Sequence, residues 1–258
     1  MVRGVDLFRD HFAALSDQYI LIGGAAAALV LNEAGLESRA TKDLDIVLCV
    51  EALTPAFGAA FWEFIKAGQY ETRQRSSGRD IFYRFATPSD KRFPYMLELF
   101  ARAPFALAAG SSQHLTPIPV GEEVSSLSAI LLNEDYYEFL HAHQRIVDGL
   151  SVADEASLIP LEARAWLDLT RKTEEGECID SGDINKHRSD VLRLFQLIPS
   201  DLRIVLPDTI LQDMASFLWN LERQTGLQLE QYGLRGVSLT DVVGSLRAIY
   251  GIERSALR

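Results

Sequence analysis

Two consecutive glycines followed by a spaced pair of aspartates constrain this chain more than any other feature. Residues 19–22 form a short apolar run that ends at Gly23 and Gly24, and the next stretch is dominated by alanine and leucine, which are strong helix formers. A second strand is predicted from Asp43, and alternation along it puts Asp43 and Asp45 on one face. The predicted order of strand, turn, helix and strand therefore brings a glycine turn close to two carboxylates.

The first half of the chain combines strands with helices. Apolar residues at helical spacing predict helices over residues 5–17 and 55–67, on either side of the two strands above. Further strands are predicted over residues 80–85, 94–100, about 118–120 and 125–132. A turn-rich spacer separates the first two of these, which suits a hairpin.

The second half is predicted to be mainly helical. Apolar residues recur at three- and four-residue spacing over residues 136–147, 160–172, 183–197, 209–225 and 239–250. Strands and helices are thus segregated, which favours an α+β fold, or an α/β catalytic domain with a helical companion, over a doubly wound parallel sheet. We predict a mixed-sheet domain with helices over residues 1–132 and a mainly helical domain over residues 133–258.

Composition and charge disfavour several classes of protein. The chain has 258 residues and a formal net charge of −11, which argues against a protein that coats nucleic acid through a broad basic face. Cys49 and Cys178 lack the spacing of a zinc site or a disulfide framework. The N-terminal residues lack the apolar core of a signal peptide, and no run of residues is apolar enough for a membrane span. We expect a soluble, cytoplasmic protein with no membrane partner.

The two aspartates form a candidate metal site. Two carboxylates on one strand face repel each other unless a cation lies between them, and magnesium is usually held by one or two carboxylates together with substrate phosphates. We therefore regard Asp43 and Asp45 as candidate ligands of Mg²⁺. The alternative is an exposed strand end with two aspartates that bind nothing.

Glu98 is a third candidate carboxylate. It interrupts an otherwise apolar strand, where an ionised group is costly unless it is paired or bound to a metal. If its strand lies beside the Asp43 strand, three carboxylates converge, as in hosts of divalent ions for phosphoryl transfer. The alternatives are an edge-strand glutamate facing water and an ion-pair partner for Arg84 or Arg102.

The glycine pair is a candidate phosphate-binding turn. Backbone N–H groups at the start of a helix, together with the helix dipole, favour a phosphate there. The sequence contains neither GxxxxGK[ST] nor GxGxxG, so it lacks the motifs of the P-loop and the dinucleotide-binding fold. A tight turn without a ligand is the alternative for Gly23 and Gly24.

Three segments of the first half combine into a known pattern. They are residues 19–26 with the glycine pair, residues 39–47 with the two aspartates, and residues 97–99 with Glu98. This order resembles the DNA polymerase β-like nucleotidyltransferase superfamily. In the second half, residues 159–169 and 183–191 are similar to the helical part of the AbiEii-type toxin nucleotidyltransferases, the type IV toxins.

The resemblance implies roles for individual residues. By it, Mg²⁺ is held by Asp43, Asp45 and Glu98, which are also catalytic together with Lys186. Nucleotide binding is implied for Gly23, Gly24, Arg39, Thr41, Lys42 and Asp190. Independently of the resemblance, Lys186 and Asp190 lie one helical turn apart, where the alternative is a surface ion pair.

The resemblance also implies an activity. We expect a magnesium-dependent enzyme that moves a nucleoside monophosphate from a nucleoside triphosphate to an acceptor hydroxyl, with RNA such as tRNA or a small molecule as acceptor and an antitoxin as a partner. The alternative is a non-catalytic nucleotide-binding or interaction protein that retains the fold. Two departures motivate it: many relatives have serine in place of Gly24, and relatives often have a lysine in place of Glu162.

Overall fold

The computed structural model describes residues 2–74, 80–102, 115–118 and 127–253. The chain folds as two compact units, one formed by Met1–Leu29 with Arg39–Ala153 and the other by Val30–Ser38 with Asp154–Arg258. The first unit carries a mixed sheet and the second is helical, so the predicted α+β class is confirmed.

The first unit contains the strands and four helices of the described ranges. In chain order they are α1 (Val5–Phe12), β1 (Tyr19–Ile22), α2 (Gly23–Glu33), β2 (Asp43–Leu48), α3 (Pro55–Gly68), β3 (Glu71–Gln74), β4 (Asp80–Ala86), β5 (Met96–Arg102), β6 (Leu115–Ile118), β7 (Leu127–Leu132), α4 (Glu134–Ala142), β8 (Gln144–Val147) and β9 (Leu150–Ala153). The last residues of α2 belong to the second unit.

The sheet has β2 and β5 near its centre. Its strands lie in the order β3-β4-β5-β2-β1-β9-β8, and β7 pairs with both β5 and β6. Strand β2 is antiparallel to β1 and parallel to β5, whereas β5 is antiparallel to β4. The hairpin predicted between residues 80–85 and 94–100 is confirmed.

A second hairpin corrects the predicted helix over residues 136–147. The helix ends at Ala142, and β8 and β9 follow as an antiparallel pair. They are joined by Asp148 and Gly149, whose φ angles are 49° and 77°. Positive φ at both central residues is the signature of a type I′ turn, which Asp-Gly favours. Residues 144–153 therefore belong to the sheet of the first unit.

An aromatic cluster fills the space between the sheet and its helices. The rings of Phe8 and Phe12 lie 4.4 Å apart, and Phe12 also packs on Tyr19, Phe57 and Phe64. All five side chains are buried. Since aromatic rings contribute both area and favourable ring-edge geometry, this cluster anchors α1 and α3 on the sheet that carries the candidate site.

The chain enters α1 through a close backbone approach. Gly4 has a φ of 73°, and a Cβ at this position would lie 2.3 Å from the backbone nitrogen of Pro94. Gly35 has a similar φ of 72° but has nothing within 4 Å of such a Cβ. Gly4 is thus required both by its conformation and by its neighbour.

The second unit consists of helices. They are α5 (Glu155–Glu174), α6 (Ser181–Leu194), α7 (Asp208–Glu222) and α8 (Leu239–Ile249). The side chains of Asp154, Asp180 and Ser238 accept hydrogen bonds from the first turns of α5, α6 and α8, as N-capping residues do. Across the residues described, none of the helices has both the length and the hydropathy that a membrane crossing requires.

Candidate functional site

Strand pairing brings the predicted carboxylates to one face of the sheet. In the parallel pair of β2 and β5, Asp45 lies opposite Glu98 and Asp43 lies opposite Met96. Residues in register on adjacent strands point to the same side, and so do residues two apart on one strand. The strand of Glu98 therefore lies beside the strand of Asp43, which is the condition under which the sequence predicts that the carboxylates share a face.

The glycine turn lies directly against one of these carboxylates. Strand β1 pairs with β2 so that Ile22 is opposite Asp45, and α2 begins at the next residue, Gly23. Gly23 has a φ of 64°, and a Cβ there would lie 2.5 Å from Oδ2 of Asp45. Only glycine satisfies both constraints, so the start of α2 and the Asp45 carboxylate adjoin.

Gly24 has a different neighbour. A Cβ at Gly24 would lie 2.1 Å from Nη2 and 2.8 Å from Cζ of Arg39. The Arg39 guanidinium therefore occupies the space that a serine side chain at this position would need. As a result, the N-terminus of α2 has a carboxylate against its first glycine and a guanidinium against its second.

The segment between Arg39 and the aspartates is fixed through its backbone. Thr41 forms a parallel bridge with Val2 and accepts a hydrogen bond from the N–H of Arg3 at 3.1 Å. Lys42 is exposed, and its Nζ lies 4.1 Å from the centroid of the Tyr95 ring, in cation–π geometry. The segment that leads into β2 thus carries two cationic side chains, those of Arg39 and Lys42.

Glu98 is bonded to an arginine on the neighbouring strand. In the register of β4 and β5, Arg84 lies opposite Glu98. Its Nε donates to Oε1 of Glu98 at 2.9 Å, and its Nη2 donates to the same oxygen. Glu98 is buried in an interior strand. Of the alternatives, the ion pair with Arg84 is confirmed and the water-facing edge strand is wrong.

Arg102 is engaged elsewhere and does not bond Glu98. Its Nη1 donates to Glu51 at 2.8 Å and its Nε donates to Glu134 at 3.0 Å. Strand β5 thus carries a glutamate that is neutralised from β4 and, four residues further on, an arginine that is neutralised by two other carboxylates.

The donor set matches magnesium in part. Asp43 and Asp45 supply two carboxylates on one face, which is the number of protein ligands that Mg²⁺ commonly takes. Within the described ranges, no group of three or more His, Cys, Asp or Glu side chains is arranged to hold a metal ion. Glu98, the third carboxylate of the predicted set, lies opposite Asp45 and is bonded to Arg84.

The predicted residues of the second unit lie on α6. Lys186 pairs with Asp183 at 3.1 Å, and Asp190 is buried with Arg193 at 3.7 Å. Each of the two residues therefore has a partner of opposite charge on its own helix, three residues away.

Glu162 has a packing role within the second unit. Its side chain is 2% exposed, and its Oε2 lies 2.6 Å from Nδ1 of His187. The contact joins α5 to α6. A buried carboxylate needs such a partner, so a packing requirement within this unit accounts for glutamate at this position.

A separate cavity of about 470 Å³ lies in the first unit, beyond the end of β2. It is lined by Asp17, Cys49, Glu51, Ala52, Arg102, Tyr137, Glu138 and His141. Burial, reinforced by Glu51 and Asp17, raises the pKa of the Cys49 thiol to about 12, and burial lowers the pKa of His141. Burial raises the pKa of Glu51, but the hydrogen bonds from Tyr137 and Arg102 lower it by more, so the pKa of Glu51 lies below its usual value.

The sequence offers Arg84 as one of two possible arginine partners of Glu98, but it does not predict the contact between Arg39 and Gly24. The hairpin spacer before β5 is a usable signal for the contact of Arg84 with Glu98, because a hairpin makes residues of its two strands neighbours.

Comparisons of the chain with protein-family models, with curated proteins and with solved structures each return no match.

Proposed function

We propose that this protein is a magnesium-dependent nucleotidyltransferase that transfers a nucleoside monophosphate from a nucleoside triphosphate to an acceptor hydroxyl. The observation that carries the proposal is the 2.5 Å separation between a Cβ placed on Gly23 and Oδ2 of Asp45. It means that a phosphate-accepting helix N-terminus adjoins a carboxylate pair suited to Mg²⁺.

The side chains divide the work as follows. Backbone N–H groups at Gly23 and Gly24 donate to triphosphate oxygens, and the Arg39 guanidinium against Gly24 adds positive charge. Asp43 and Asp45 hold the magnesium ion, which supplies charge neutralisation to the triphosphate when it is bound.

The reaction is an in-line displacement at the α-phosphorus. The acceptor oxygen forms a bond to the α-phosphorus, the bond from that phosphorus to the bridging oxygen breaks, and pyrophosphate leaves. The acceptor hydroxyl gives its proton to the carboxylate of Glu98, which lies opposite Asp45 on the adjacent strand. The resemblance implies that Lys186 and Asp190 act on the nucleotide. It also implies an RNA or small-molecule acceptor, an antitoxin partner and a cytoplasmic location.

A second candidate function is a nucleotide-binding protein without turnover. The specific observation in its favour is the Arg84–Glu98 ion pair, because it withholds the third carboxylate of the expected metal site. Such a protein would bind a nucleoside triphosphate at the glycine turn and leave it intact.

One experiment separates the two functions. The protein is incubated with each labelled nucleoside triphosphate, Mg²⁺ and either total RNA or a small-molecule mixture, and label transfer is measured. We expect transfer that Asp43→Asn and Asp45→Asn abolish. Asp10→Asn is the matched control, because this exposed aspartate on α1 lies outside the site. Nucleotide binding without transfer favours the second function, and absence of nucleotide binding contradicts both.

A further inference from the structure

Arg84, Glu98 and Asp45 lie side by side on three adjacent strands. Arg84 is opposite Glu98 on β4 and β5, and Glu98 is opposite Asp45 on β5 and β2. The three side chains therefore share one face, in the order cation, carboxylate, carboxylate. A permanently charged guanidinium thus lies one strand away from Glu98 and two strands away from Asp45, with Glu98 between the two.

Glu98 requires a cation whether or not metal is bound. Its side chain is buried on an interior strand of the sheet. An ionised carboxylate in such surroundings is strongly destabilising without a partner. Arg84 meets this requirement with two charge-assisted hydrogen bonds to Oε1, and its own side chain remains 38% exposed.

We propose that Arg84 is a positioning residue that holds Glu98 away from the metal, so that Asp43 and Asp45 bind a single divalent cation and Arg84 sets its affinity. The inference rests on the proposed function, because it concerns the same carboxylates. It departs from the three-carboxylate arrangement expected from the sequence, since Glu98 becomes a ligand only when Arg84 is removed.

Two effects of Arg84 act in the same direction. Its hydrogen bonds occupy Oε1 of Glu98, and its positive charge cancels the negative charge that Glu98 would otherwise contribute beside Asp45. Removing the guanidinium both releases a ligand and leaves the negative charge of Glu98 uncancelled. Because the pair is partly exposed, we expect removal to tighten divalent-ion binding by about 5- to 30-fold rather than by orders of magnitude more.

The test measures Mn²⁺ binding by electron paramagnetic resonance, with no nucleotide present. Wild type is expected to bind one Mn²⁺ per chain, and Asp45→Asn is expected to abolish this binding. Arg84→Gln is expected to tighten it by the factor above. Arg92→Gln is the matched control, because it also removes one arginine from an ion pair, with Asp90, and is expected to leave the affinity unchanged.

A double-mutant cycle tests whether Arg84 acts through Glu98. In a Glu98→Gln background, Arg84→Gln is expected to tighten Mn²⁺ binding by less than about threefold, because no carboxylate remains to be released. Two Mn²⁺ ions per wild-type chain would overturn the proposal, and this measurement needs no variant to fold. Unchanged affinity in Arg84→Gln, or full tightening in the Glu98→Gln background, would also overturn it.

The failure of this inference differs from the failure of the proposed function. Label transfer by wild type together with unchanged Mn²⁺ affinity in Arg84→Gln would contradict the role of Arg84 and support the proposed enzyme activity. Tightened Mn²⁺ binding without any nucleotide binding or transfer would support the role of Arg84 and contradict the proposed enzyme activity. Absence of Mn²⁺ binding from both wild type and Arg84→Gln would remove both.

Discussion

Replacing Glu162 with lysine tests whether this position serves packing or the nucleotide. The resemblance implies a lysine here that approaches the phosphates. In the structure the glutamate is 2% exposed and lies 2.6 Å from His187. If the position serves packing, Glu162→Lys buries a positive charge against the imidazole and destabilises the second unit by about 3–5 kcal/mol, the range for a broken buried pair.

The sizes expected for two further substitutions follow from the same contact. Glu162→Ala loses a hydrogen bond to a charged group, about 1.5–3 kcal/mol, and one buried methylene of about 0.8 kcal/mol. Glu162→Gln keeps the shape and a neutral hydrogen bond and is expected to cost about 1 kcal/mol. The expected order of stability is therefore wild type, Gln, Ala and Lys, with the last two close together.

Urea unfolding followed by tryptophan fluorescence measures these free energies. Trp166 and Trp219 lie in the second unit and Trp62 lies in the first, so a Trp62→Phe background restricts the signal to the unit that contains the contact. Glu174→Lys is the matched control, because it makes the same charge change at an exposed position on α5 and is expected to stay within about 0.5 kcal/mol.

The reasoning is refuted if Glu162→Lys unfolds at the same urea concentration as the control. A rise in label transfer on introduction of the lysine would refute it independently, because it would place the side chain at the nucleotide. A double-mutant cycle with His187→Ala should give a coupling of about 1.5–3 kcal/mol between the two side chains. Additive costs would mean that the contact contributes nothing.

Three further predictions concern the rest of the chain. Gly35→Ala should cost about 1–2 kcal/mol for its left-handed φ alone, and Gly4→Ala should cost more because its Cβ meets backbone; equal urea midpoints would contradict the clash. Cys178 is exposed and should be alkylated rapidly at neutral pH, whereas Cys49, whose pKa burial raises to about 12, should react only on unfolding, as mass spectrometry of the labelled protein can determine. Burial lowers the pKa of His141, so the unfolded chain takes up its proton first and the folded state loses stability as the pH falls below about 6.5; His141→Asn should reduce this loss in urea unfolding at neutral and mildly acidic pH.

Local sequence patterns predicted the strands that carry the candidate site, whereas the contacts of its side chains depend on how distant strands pair. The apolar run at residues 19–22 and the alternation after Asp43 correspond to β1 and β2, because such patterns depend on neighbours in sequence. The partner of Glu98 depended on the register of β4 against β5, which local periodicity does not contain. Asp-Gly at residues 148–149 is a turn signal, but the apolar spacing that continues through residue 147 predicts a longer helix than the one observed.

The resemblance implies a serine where this chain has Gly24, and the contact with Arg39 offers a structural reason for the glycine. If the guanidinium contacts the triphosphate, Arg39→Ala should weaken nucleotide binding by about 10- to 100-fold, as expected for a lost hydrogen bond to a charged group. Gly24→Ser should weaken it similarly, because the new Cβ lies only 2.1 Å from Nη2 and must displace the arginine.

The double variant decides between these explanations for Gly24. Because both substitutions remove the same contact, Gly24→Ser with Arg39→Ala should bind nucleotide no more weakly than either variant alone, as isothermal titration calorimetry can establish. Additive losses would mean that the glycine and the arginine act separately. Recovery of binding in the double variant would mean that serine alone serves the phosphate, and that Arg39 is only what excludes it.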